Sequence, residues 1–335
     1  MLRPPHRRSR AALQRIERKD SARTILIALA ANIIIAIAKF VSGLISGSTA
    51  LLAESAHSLA DASNEVLLGI SLRRAAAPAD DRHPLGHGRE RFLWAFMAAI
   101  ASFLIGGCFS IAIAIRQLAR GETMGNPTAA WIVLGVAFIG DGASLLQSLR
   151  QARREAKERG WKVWFHLLRS SDPTVRAVVV EDGAALIGIV IAAAGLLLSH
   201  QLRSSRPDAF ASLLIGLLMA VTAFGLGRPL ADFLVGKSLP PALLEEIRSL
   251  IDSDKAVEEI VSLQAVYIGP EEVIVAAKIR PSPRLSAKDL SHAMDDLDHA
   301  LRKASPFVAD VYIDVTSHDA GDGEGARSES GTAAM

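Results

Sequence analysis

Hydrophobic positions fall into long unbroken blocks along most of the chain. A bilayer core of about 30 Å needs about 20 apolar helical residues, and runs of that kind occupy 24–45, 92–115, 129–146, 177–198 and 209–226. Each predicts a membrane-spanning helix. A sixth stretch, 49–72, is apolar on one side but carries Glu54, His57, Asp61, Asn64 and Glu65. Their spacings of three, four, three and one residues place all five on one helical stripe, leaving the other face for lipid. Counting it as a span predicts a multi-pass α-helical membrane protein with a six-helix transmembrane bundle.

Loop charges agree with that count. Lys and Arg collect on the cytoplasmic side of membrane proteins. Six spans put the basic arm 1–23, the loop bearing Arg73, Arg74, Arg82, Arg89 and Arg91, and the loop bearing Arg150, Arg153, Arg154, Lys157, Arg159, Lys162 and Arg169 on one face. Leaving out 49–72 would scatter these loops over both faces. The expected orientation has both termini in the cytoplasm, and in a bacterium the membrane would be the inner one. The apolar run after the arm is longer than a signal-peptide core, so it is read as a first span.

After Arg228 the periodicity changes. A short amphipathic helix (242–251), an alternating strand (257–267), a Gly269-Pro270 turn, a strand (273–279), a polar-faced helix (286–303) and a strand (308–315) follow in the order αββαβ. That order predicts a small cytoplasmic α+β domain of the ferredoxin-like kind. The domain plan is thus an arm (1–23), a transmembrane domain (24–228), a ferredoxin-like domain (240–316) and a Gly/Ser/Asp/Glu-rich tail (317–335) read as disordered.

Composition narrows the function classes. Half of the 335 residues are hydrophobic and the mean hydropathy is +0.29, too apolar for an ordinary soluble chain of this size. Lys and Arg total 37 against 35 Asp and Glu, and no basic patch is interleaved with aromatics, so no nucleic-acid partner is expected. The run 231–238 loosely matches a phosphate-binding loop but lacks its Gly-rich turn and preceding strand, so no nucleotide is expected either. Cys108 is the single cysteine, which excludes an intramolecular disulfide and a CxxC zinc site. Any metal must therefore be held by His and carboxylates.

Two constellations could do so. Ionisable groups inside a membrane are costly and mark functional sites. His57 and Asp61 lie four apart on one helix face, able to converge on one ion. Glu181 and Asp182 are neighbours about 100° apart on the fifth predicted span, so at most one points squarely at that face. The competing reading is an interhelical hydrogen-bond network, but three or more acidic groups cannot satisfy one another without a cation or protons. In the loop Asp80-Asp81-Arg82-His83-Pro84-Leu85-Gly86-His87, Pro84 and Gly86 exclude a helix. It reads either as a three-ligand divalent site or as a solvated loop with chance histidines. Asn32 and Lys39, seven apart, are expected to line or seal the bundle, and Asp208 beside Pro207 to cap its own helix.

The run 48–61, STALLAESAHSLAD, together with 80–91, DDRHPLGHGRER, resembles the cation diffusion facilitator family of divalent-metal/proton antiporters. The resemblance extends from about residue 24 to 315 and includes Tyr267-Ile268-Gly269-Pro270 in the small domain. It implies that His57 and Asp61 form the second-span half of a transport site and Asp182 the fifth-span half. It further implies a loop site of Asp80 or Asp81 with His83 and His87. Many members carry a His where this chain has Val178, which leaves Glu181, Asp141 or water to complete the set, with Glu54 a possible accessory. The C-terminal domain lacks a His-rich ending, and His292 and His299 have no evident partners.

The function implied is efflux of a divalent cation (Zn, Mn, Fe, Co or Cd) from the cytoplasm by a homodimer, through alternating access in exchange for protons. Neither an organic cofactor nor enzymatic activity is expected. The alternatives are a non-transporting regulatory or scaffold membrane protein of the same fold and a proton-coupled exporter of other cations.

Overall fold

The structure, a computed structural model, describes residues 29–30, 32–121, 125–158, 173–270, 272–283 and 285–316. The predicted arm 1–23, the tail 317–335, the start of the first span and the basic residues Arg159, Lys162 and Arg169 lie outside them. The chain divides into two compact units, Met1–Arg73 with Leu93–Ala231, and Arg74–Phe92 with Asp232–Met335.

The first unit is helical. Its elements are α1 (Asn32–Ser46), α2 (Thr49–Ala75), α3 (Glu90–Arg120), α4 (Thr128–Glu158), α5 (Pro173–Leu202) and α6 (Arg206–Val235), of which α2, α3 and α6 run on at one end into the second unit. Among the described residues, α3 to α6 are long and apolar enough to cross a membrane. The described part of α1 is shorter, and α2, although 27 residues long, carries the polar stripe that lowers its hydropathy. Length and composition thus support four of the six expected spans.

The unit packs through small side chains. Its core holds Ala50, Ala53, Ala130, Ala137, Ala192 and Ala211 around Leu51, Leu134, Ile189, Leu196 and Ile215. Small residues let helix backbones approach, which matters where lipid removes the hydrophobic drive between helices. On α3 and α6, Gly107 and Gly216 are so close that a Cβ on Gly216 would stand 3.1 Å from the Gly107 carbonyl oxygen. Ile132, Ile139, Val221 and Phe224 are exposed on the outside.

One expectation is corrected in this unit. Asp208 does not cap α6, where it lies. Its buried carboxylate accepts hydrogen bonds from Ser48 Oγ (2.6 Å) and from the backbone N–H groups of Thr49 (2.6 Å) and Ala50 (3.2 Å). It therefore caps the start of α2, a helix 159 residues away in sequence. Gln117 of α3 closes the same corner, bonding to Thr49 Oγ1 and, from its amide, to the Gly47 carbonyl.

The second unit contains α7 (Pro241–Asp252), β1 (Val257–Gly269), β2 (Glu272–Pro281), α8 (Ala287–Ala304) and β3 (Val308–Val315). The strands form one sheet in the order β1-β2-β3, with β1 and β2 antiparallel and β2 and β3 parallel. Val273, Val275, Ala277 and Ile279 alternate into the core, where they meet Ile247 and Ile251 of α7 and Leu297 and Leu301 of α8. Ser286 caps α8 by accepting from Asp289 N–H. The sheet has three strands rather than the four of a complete split βαβ sandwich. Among the described residues no strand precedes α7, so β2 and β3 pair directly, and the crossover through α8 makes that pairing parallel.

Candidate functional site

The stripe on α2 turns inward as its spacing requires. Glu54, His57 and Asn64 are buried, Asp61 and Glu65 are half-buried, and Leu59, Val66 and Leu72 are exposed. His57 Nε2 lies 3.3 Å from Asp61 Oδ2, yet neither ring nitrogen has a hydrogen-bond partner among the described residues although the residue is only 2% exposed. A buried polar group in that condition is costly unless a ligand completes it.

Each remaining acid has a different neighbour. Glu181 accepts from Asn64 Nδ2 of α2 at 2.6 Å. Asp182, one residue on, accepts from Ser144 Oγ (2.8 Å) and Ser148 Oγ (3.4 Å) of α4. The 100° step between neighbours thus sends one carboxylate to α2 and the other to α4. Glu181 feels the charges of Asp61, Asp182 and Glu65, and Asp61 feels that of Asp141. Among the described residues, His57, Asp61, Glu181 and Asp182 are not drawn into a group of three ligand atoms within 4.8 Å of one another.

Glu54 and Asp141 face a cation of the protein itself. Lys39 of α1, fully buried, donates to Glu54 Oε2 at 3.0 Å and to Ser58 Oγ at 2.9 Å, with Asp141 Oδ2 3.9 Å away. Gly188 of α5 packs against the Glu54 carboxylate so closely that a side chain there would collide with Oε1. Glu65, placed on the stripe by its spacing but given no role from sequence, accepts from Asn32 Nδ2 at 2.7 Å, whereas sequence reasoning does not single out Ser144 and Ser148. The signal for Glu65 is its position four residues after Asp61, and for the serines their own spacing of four.

The loop is a second, tighter group. Asp80 Oδ1 accepts from the backbone N–H groups of Arg82 (2.9 Å) and His83 (2.7 Å), and Gly86 turns the chain back with φ 79°. This turn brings His83 Nδ1 and His87 Nε2 each to 3.2 Å from an Asp80 oxygen, with the rings 4.3 Å apart. Asp80, His83 and His87 are the one group of three His or carboxylate ligand atoms within 4.8 Å among the described residues. Asp81 is exposed and outside it.

Electrostatics keep this loop charged. The His83 backbone N–H above all, then the His87 ring, hold the Asp80 carboxyl down to about 2. The Glu90 carboxylate, 3.0 Å from His87 Nδ1, and then Asp80 push the His87 imidazole up. The loop also belongs to the second unit: a Cβ at Gly88 would stand 2.6 Å from the Ile268 carbonyl oxygen and 2.9 Å from the Glu272 carboxylate, at the β1–β2 turn. His299 of α8 bonds to its own helix through the Asp295 carbonyl.

An apolar helix bundle with ionisable side chains turned inward defines a membrane protein that handles ions. Comparison with known proteins agrees. Residues 25–235 match the cation efflux transmembrane domain, and the chain belongs to that family, the cation diffusion facilitators: transporters in the membrane, not enzymes. Metal tolerance protein C4 of Arabidopsis thaliana is 30% identical over 80% of this chain and 59% of its own length. Proton-coupled zinc antiporter SLC30A9, mitochondrial, of Mus musculus is 26% identical over 78% of this chain and 46% of its own. This chain thus spans about half the length of these two. Manganese efflux system protein MneP of Bacillus subtilis is 26% identical over 74% of this chain and 80% of its own.

Proposed function

We propose that the protein exports a divalent transition-metal ion from the cytoplasm in exchange for protons, by alternating access in a homodimer of six-span chains with cytoplasmic termini. His57, Asp61 and Asp182, with Glu181, form the transport site. The observation that carries this reading is His57: a buried imidazole, 3.3 Å from Asp61, whose two nitrogens make no hydrogen bond among the described residues.

The physics is compact. Deprotonated carboxylates and a neutral imidazole bind the ion where few water dipoles compete with them. Protonation of the same groups from the far side releases it, so uptake of protons and loss of metal are one event. Asp80, His83 and His87 form an auxiliary divalent site on the cytoplasmic loop, where incoming ions meet the protein first. The names of the relatives, one a zinc antiporter and one a manganese efflux protein, support a cargo among such ions.

The test is metal-dependent proton flux in liposomes containing the purified chain, across Zn²⁺, Mn²⁺, Fe²⁺, Co²⁺ and Cd²⁺. Counterflow of protons with at least one ion is expected. Metal uptake without proton movement would remove the exchange step, and no uptake of any ion would remove transport.

A further inference from the structure

Lys39 does more than seal the bundle. Its ammonium sits in a pocket of oxygens supplied by α2 and α4: Glu54 Oε2 at 3.0 Å, Ser58 Oγ at 2.9 Å and Asp141 Oδ2 at 3.9 Å. Lys39 and Glu54 are both fully buried. The second Glu54 oxygen has no hydrogen-bond partner and abuts Gly188, so no side chain at that position of α5 covers it. Ser58, to which the ammonium donates, is the residue after His57 on α2, so Lys39 binds the same helix that carries the transport-site residues His57 and Asp61.

We propose that Lys39 is a resident cation that occupies the Glu54–Ser58–Asp141 end of the acidic stripe and denies it to the transported ion, so that cargo is confined to the end formed by His57, Asp61, Glu181 and Asp182. The inference rests on the transport-site reading above and deepens it by naming the residue that limits how many ions the cluster holds. The reasoning is one of charge and ligand chemistry. Without the ammonium, the fully buried Glu54 and the half-buried Asp141 would face one another with a hydroxyl and no cation between them, and uncompensated buried charges are strongly unfavourable. Carboxylate and hydroxyl oxygens are the donors that hard divalent ions such as Mn²⁺ prefer. A divalent ion is therefore what the pocket would recruit in place of the ammonium. Asp141, one of the candidates to replace the ligand missing at Val178, faces Lys39 and is withdrawn from the cargo.

The test compares the full-length wild-type chain with Lys39→Gln and Lys39→Arg, each purified in detergent with and without Mn²⁺. After equilibrium dialysis against Mn²⁺, bound metal per chain is read by mass spectrometry. Lys39→Gln is expected to retain an additional Mn²⁺ ion relative to wild type, and Lys39→Arg, which keeps the charge, to match wild type. Equal Mn²⁺ content in Lys39→Gln and wild type would overturn the proposal, as would a gain in Lys39→Arg equal to that in Lys39→Gln. Should Lys39→Gln fold only when Mn²⁺ is present, its melting temperature is expected to climb with Mn²⁺ more steeply than that of wild type. A variant unfolded at every Mn²⁺ concentration would count against the ion taking the ammonium's place. A wild-type chain that binds no divalent ion defeats the transport-site reading instead, and is told apart because it does not depend on the variants.

Discussion

Asp208 and Thr49 meet across the bundle: the carboxylate near the start of α6 accepts the backbone N–H of Thr49 at 2.6 Å and so caps the helix that carries His57 and Asp61. The first turn of α2 has no acidic residue of its own; its Thr49 and Ala50 N–H groups are satisfied from a neighbouring helix, and that of Leu51 by the adjacent Ser48 Oγ. The position of the α2 stripe is thereby tied to α6, and through Gln117 to α3.

Replacing Asp208 by Ala should lower the stability of the detergent-solubilised protein. A lost N-cap costs about 0.5–2 kcal/mol, and buried donors left without a partner add about 1–3 kcal/mol. Asp208→Asn, which keeps an acceptor but not the charge, should fall between the two. A thermal unfolding midpoint unchanged in Asp208→Ala would show that the start of α2 is held by other contacts.

Asp61→Ala should abolish metal-dependent proton flux while leaving the protein folded and inserted. The side chain is removed from the inward-facing stripe, and the exposed apolar face bearing Leu59 and Val66 is left intact. Flux equal to wild type in liposomes would take Asp61 out of the transport site.

In the loop, His83→Ala with His87→Ala should weaken apparent metal affinity more than it lowers the maximal rate. Total loss of flux at saturating metal would contradict an auxiliary role. The pH dependence has a definite sign. Because Glu90 and Asp80 favour the imidazolium of His87, its pKa stands above 6.5. The ion pairing therefore supports the loop fully below 6.5 and is lost as pH rises through the raised value. Metal needs the neutral ring, so loop affinity should fall on acidification through that same value, while Asp80 stays ionised until the pH nears about 2. A ring-proton NMR titration that puts the His87 midpoint at or below 6.5 would contradict this order.

Val178→His should raise zinc transport relative to manganese. The proposed site is rich in oxygen, with one imidazole among carboxylates, and a second imidazole suits zinc better than manganese. A Zn/Mn flux ratio that does not move in a folded variant would show that position 178 does not face the ion.

Much of this arrangement is legible in the chain itself, because it depends on periods and on near neighbours. Blocks of apolar residues mark the helices, and the spacing of Glu54, His57, Asp61, Asn64 and Glu65 puts them on one face whatever that face meets. The alternation of Val273, Val275, Ala277 and Ile279 declares which side of β2 is buried. The turn at Gly86 brings His83 and His87 together over a few residues. Other relationships needed the folded chain. Asp80 and Asp81 are the same residue type at adjacent positions, and only the backbone turn that aims Asp80 at the N–H groups of Arg82 and His83 separates them. Glu181 and Asp182 could be ranked only by which helix stands opposite each. Lys39 could be paired with Glu54, and Asp208 with α2, only once helices remote in sequence lay side by side. Burial in a dry bundle makes each such charge seek whatever opposite charge or donor is nearest in space, and local spacing does not encode that distance.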